Sequence, residues 1–173
     1  MKILPGFQII FRTLLFLGLA LIPLSVPAEA APGANRELVL YKVDPYLYGA
    51  CGWCTDLFSL KENDNRKDFY SYNRYNQTGY YEIQLKGPAG TTVTLFGDRD
   101  HSLKRGYLIL VKKDARPIEV GDLGNLPPRQ WVELGTPQTG VYSVWYHPAS
   151  SFKERIASVR WGQWWSELPP ANQ

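Results

Sequence analysis

The chain has 173 residues, 19 Lys or Arg against 16 Asp or Glu, and an aromatic share of 14% that includes six Trp and eleven Tyr. A formal charge of only +3, with no clustered basic face, excludes a nucleic-acid partner held by the usual electrostatic footprint. Two cysteines and two histidines would have to supply all four donors of a tetrahedral zinc site, but His101 and His147 lie in different segments with no ligand-type spacing, so zinc is not expected.

The first thirty residues stand apart from the rest. Lys2 and Arg12 precede the apolar run "LLFLGLALIPLSV", and "AEAA" places small residues at Ala28 and Ala30 in the A-x-A pattern of a secretory cleavage site. The run is short for a membrane span and Pro23 interrupts it. Residues 1–30 are therefore expected to be a signal peptide, and 31–173 a single exported domain in a periplasmic, lumenal or extracellular setting. Removing Lys2, Arg12 and Glu29 leaves 17 basic and 15 acidic side chains. No second long apolar segment follows, so no membrane span is expected in the mature chain.

From residue 37 onward the chain reads as short strands punctuated by turn residues. "ELVLYKV" and "CTDLFSL" come first. In "YYEIQLKG", Tyr81, Ile83 and Leu85 alternate with Glu82, Gln84 and Lys86, the two-residue period of a half-buried strand. "GPAG" turns into "TTVTLFG", which opens with β-branched residues, and "GYLILVKK" is an apolar run of strand length. "RPIEVGDL", "QWVEL", "GVYSVWYH" and "IASVRWG" complete the series, with Pro127-Pro128 and Gly135-Thr136-Pro137 between them. Eight or nine strands at such spacing, and no amphipathic helix of ten residues, predict a single all-β domain, a sandwich or a barrel. Val93, Leu95, Ile109, Val111, Val144 and Val159 are expected to be buried, with Leu108 and Leu110 covered if "GYLILV" is a central strand. The polar interval 61–79 is expected to begin as a solvated excursion and to end in an aromatic strand. "APGAN" and "SELPPANQ" are expected to be loose.

Cys51 and Cys54 form a CxxC in "GACGWCTDLF". Haem attachment would require His at position 55, where Thr55 stands. A thiol–disulfide oxidoreductase would set the pair at a helix start within a βαβ unit, and no such pattern is present. A local disulfide in an oxidising compartment is the expectation, beside the turn between the first two strands. A strained, reducible bridge would leave a redox role open.

Two further stretches resemble the βγ-crystallin Greek-key domains. "ELVLYKVDPYLYG" is similar to the opening strand and folded-back hairpin of that family, and "FKERIASVRWG" to the segment that closes a Greek key. The resemblance implies a single antiparallel β-sandwich of Greek-key type. Calcium-binding members carry two Asp or Asn and a Ser or Thr before the final Ser of the closing segment. Here those places hold Lys153, Glu154 and Ala157, and only Ser158 keeps the pattern. A lysine does not suit a hard cation that takes oxygen ligands, so no cofactor is expected.

The loop "FGDRDHS" offers Asp98, Asp100 and His101 as an alternative divalent-metal set, or simply as a polar turn. The aromatic content has two readings, filling of the core of a small sandwich or a recognition surface; the candidates for the latter are the Tyr-rich stretch 69–81, with Tyr72 and Tyr75, and the cluster "VRWGQWW", with Trp161, Trp164 and Trp165. Continued as a strand, that cluster would put Trp161 and Trp165 on one face and Trp164 on the other. The function expected is an exported, non-catalytic β-sandwich that binds a protein or carbohydrate partner through these aromatics. The rival is a small redox- or metal-dependent protein using Cys51 and Cys54, or Asp98, Asp100 and His101.

Overall fold

The structure is a computed structural model, and it describes residues 35–43, 56–69, 79–167 and 169. The proposed signal peptide, Cys51, Trp53, Cys54, Tyr72 and Tyr75 lie outside the described residues.

Nine strands are present among the described residues: β1 Glu37–Val43, β2 Asp56–Lys61, β3 Tyr80–Lys86, β4 Thr92–Phe96, β5 Tyr107–Lys112, β6 Ile118–Val120, β7 Trp131–Thr136, β8 Gly140–His147 and β9 Ser158–Trp161. They form two antiparallel sheets, one in the order β2-β1-β3-β6 and one in the order β7-β8-β5-β4-β9. Among the described residues the only helical pieces are the 3-10 turns Arg99–His101 and Phe152–Glu154, and no helix is long and apolar enough to cross a membrane. The expected all-β sandwich is what the chain forms.

Side-chain alternation explains why the sheets close on each other. Leu38 and Leu40 of β1, Tyr81, Ile83 and Leu85 of β3, and Ile118 and Val120 of β6 point inward from one sheet. Val93 and Leu95, Leu108 and Leu110, Tyr142, Val144 and Tyr146, and Val159 and Trp161 meet them from the other. Each Val, Leu or Ile among them contributes about 1.5–3 kcal/mol on burial. β5 is central, flanked by β4 and β8, so the run "YLILV" is covered on both faces. Seven of the eight apolar positions expected to be buried are buried, and Val111 is half-buried. Ile109, however, belongs to a separate apolar layer on the outer side of its sheet, because it alternates with Leu108 and Leu110.

The polar interval after β2 does more than loop through solvent. Residues 65–69 run along β9: Val159 N–H donates to the Arg66 carbonyl at 2.8 Å, Phe69 N–H to the Ala157 carbonyl at 2.8 Å, and Trp161 N–H to Asn65 Oδ1 at 2.7 Å. Phe69 anchors the segment in the core. The edge of the five-stranded sheet at β9 is thereby closed.

The outer face of the four-stranded sheet is charged. Glu37 accepts from Ser59 Oγ, from Lys61 Nζ at 2.8 Å and from Lys86 Nζ at 3.0 Å. These hydrogen bonds, the Lys61 one foremost, bring its carboxyl down to about 2.

Candidate functional site

The opposite outer face, that of the five-stranded sheet, is aromatic. Phe96 from β4, Tyr107 and Ile109 from β5 and Trp145 from β8 form a buried cluster there, with Leu103, Val111, Trp164 and Trp165 packed against it. Tyr107 and Phe96 are neighbours in register across β4 and β5, and Trp145 is paired with Ile109 on one side and Trp131 on the other. Period-2 alternation thus brings residues far apart in sequence onto one surface. Burial pushes the Tyr107 phenol up, and the Trp145 indole beside it partly offsets that rise.

Trp164 and Trp165 reach this face because β9 ends at Trp161 and Gly162 takes the left-handed region at φ +78°, where other residues are strained. The chain then doubles back over the sheet. The Trp164 indole N–H donates to Thr94 Oγ1 at 2.8 Å, and its ring lies 5.9 Å from Phe96 and 6.0 Å from Tyr107. Trp165 stands edge-on to Trp164 at 5.8 Å and reaches Trp131 at 6.0 Å, while Trp131 lies 5.8 Å from Trp145. These centroid separations fall in the range favoured by aromatic pairs. The result is a continuous aromatic band from β4 to β7.

The expected facing of the C-terminal tryptophans is therefore corrected. Trp161 faces the interior and is only 8% exposed, whereas Trp164 and Trp165 share the outer face. The strand period stops at Gly162, so it cannot be carried through to Trp165.

Trp131 is the solvent-facing end of the band at 36% exposure, and it stands on the edge strand β7. Glu133 follows it on the same face, opposite Ser143 of β8. The sequence "QWVEL" reads at first as a strand and nothing more. The alternation of Trp131 and Glu133 with Val132 and Leu134 nevertheless separates an outward pair from an inward pair, and that is the signal it carries. Of the Tyr-rich stretch, Tyr81 is buried, while Tyr80 is 38% exposed with Lys153 Nζ 4.3 Å from its ring centroid. A cation over an aromatic face is a favourable contact.

The alternative metal set resolves into a structural turn. Asp98 caps the 3-10 turn by accepting from Arg99 N–H at 2.9 Å. His101 Nε2 lies 3.0 Å from the Val159 carbonyl, so that nitrogen carries the proton and donates. Ser158 Oγ donates to the Asp98 carbonyl at 2.6 Å and accepts from His101 N–H at 3.1 Å. Asp100 and His101 hold positive φ, which short polar residues and His adopt more readily than others. Among the described residues no three His, Cys, Asp or Glu side chains are placed together to hold a metal ion.

Comparison with family models, curated proteins and solved structures returned no match.

Proposed function

We propose that the chain is an exported, non-catalytic β-sandwich module that binds a protein or carbohydrate partner through the aromatic outer face of its five-stranded sheet. Trp131 and Trp165 are the contact residues, and the Phe96–Tyr107–Trp145–Trp164 layer holds them in place. The single observation that carries this reading is the position of the aromatic band. The sandwich already buries a full core between its sheets, and a second aromatic layer ending in an exposed indole is what recognition surfaces use. The rings are also pre-ordered by mutual packing, which lowers the entropy lost on binding.

The test is a binding titration of the chain and of Trp131→Ala against soluble glycan fragments and proteins of the exported fraction. Saturable binding that drops at least tenfold in a variant with an unchanged circular dichroism spectrum supports the reading. Equal affinity of the two proteins overturns it. Replacing Cys51 and Cys54 by Ser separates the rival redox reading: the binding module keeps its affinity in the folded double variant, and a redox protein loses its activity.

A further inference from the structure

The two edges of the five-stranded sheet are treated differently. β9 is covered by residues 65–69, whereas among the described residues β7 pairs only with β8 and is the last strand on its side. Edge strands are normally guarded by Pro, Lys, a bulge or a covering loop, because an open row of backbone groups templates another chain. "WVELGT" contains neither Pro nor Lys.

The register fixes which backbone groups are open. The Tyr146 carbonyl accepts from Arg129 N–H at 2.7 Å, on the β7 side, while the Val141 carbonyl accepts from Lys113 N–H at 2.8 Å, on the β5 side. Orientation alternates along β8, so Val144 and Tyr142 also turn toward β7, where their partners are Val132 and Leu134. The N–H and C=O groups of Trp131 and Glu133 consequently point away from β8, to the open side. These are the two residues whose side chains stand on the aromatic face. Between them, Val132 faces inward and is half-buried, as is Leu134.

We infer that β7 accepts an added β-strand from an extended polypeptide segment. Three features of the edge specify its chemistry. Its backbone must supply donors and acceptors to Trp131 and Glu133. Its alternate side chains must be apolar to cover Val132 and Leu134. The residue opposite Glu133, the one charge in β7, must be Lys or Arg, since cross-strand opposite charges stabilise and like charges repel. This deepens the binding reading by naming the form of a partner, and it rests on that reading for the role of Trp131.

The probe is a capped synthetic peptide alternating Val with Thr and carrying one central Lys, compared with its central-Glu counterpart and with a version N-methylated on alternate amides. Binding to the full chain is read by tryptophan fluorescence and by hydrogen exchange at the Trp131 and Glu133 amides. The expected result is saturable binding of the Lys peptide with both amides protected, and no binding of the N-methylated peptide. In Glu133→Lys the preference between Lys and Glu peptides reverses, each by up to about fivefold; a misfolded variant would lose both instead of exchanging them. Absence of amide protection, or equal binding of both peptides by both proteins, overturns the inference. A sedimenting dimer whose two amides are protected without peptide also overturns it, because a second copy then occupies the edge. If the peptides fail while Trp131→Ala still abolishes glycan binding, the edge inference falls and the aromatic-face reading stands.

Discussion

Trp165 packs against Trp131 with ring centroids 6.0 Å apart, so the segment that follows the edge strand β9 ends against the opposite edge strand of the same sheet. Residues 163–165 therefore strap the outer face from side to side. Trp164 is the fastening, through its hydrogen bond to Thr94 and its contacts with Phe96 and Tyr107. Trp164→Ala is expected to cost about 3 kcal/mol, the lower end of the range for losing a packed Trp, measured by denaturant unfolding.

Ile109 lies beneath the strap, so its truncation should be coupled to that of Trp164. Ile109→Ala alone is expected to cost about 2–5 kcal/mol. The double variant should cost less than the sum by about 0.5–3 kcal/mol, since both changes open the same layer. Strict additivity would place Ile109 in an environment independent of the strap.

Ser158 ties the turn 98–101 to β9 through two hydrogen bonds, and its side chain is fully buried. Ser158→Ala leaves the His101 amide and the Asp98 carbonyl without that partner. The expected loss is about 1–3 kcal/mol, with the far-ultraviolet spectrum unchanged. Added divalent cations should not restore it, because the turn is held by hydrogen bonds.

Much of this fold is legible in the sequence, and the reasons are local. Tyr81, Ile83 and Leu85 alternate strictly with polar residues, and "TVTL" and "YLILV" combine strand length with strand composition, so β3, β4 and β5 stand out from pattern alone. The aromatic site is less legible. Whether Tyr107 and Ile109 face solvent or a second layer depends on the path of the chain after Gly162, some fifty residues later. Trp131 is exposed because β7 is an edge, and strand order in a sheet is set by long-range pairing that local periodicity does not encode. Asp98, Asp100 and His101 look like ligands for a related reason. Residue type marks both metal sites and tight turns, and only the carbonyl of Val159 beside His101 separates the two.

Glu37 gives a pH dependence with a definite sign. Its carboxyl is lowered to about 2 in the folded chain, so it releases its proton more readily there than in the unfolded chain. Its contribution is full above the unfolded value of about 4.5 and is lost as pH falls through about 2. Glu37→Gln should therefore be less stable than the parent near neutral pH, by about 1 kcal/mol for a surface network of this kind, and the two should converge toward pH 2. A constant difference across that window would assign the effect to packing.

If the chain makes its contact at the aromatic face and the β7 edge, the footprint of a bound partner must fall there. Hydrogen–deuterium exchange of the full chain, with and without the exported proteins and glycans of its source cells, tests this most directly and does not require the partner to be identified. New protection is expected in residues 131–136 and 163–167, and it should be lost in Trp131→Ala. Protection confined to the charged outer face of the four-stranded sheet, around Glu37, Lys61 and Lys86, would contradict it.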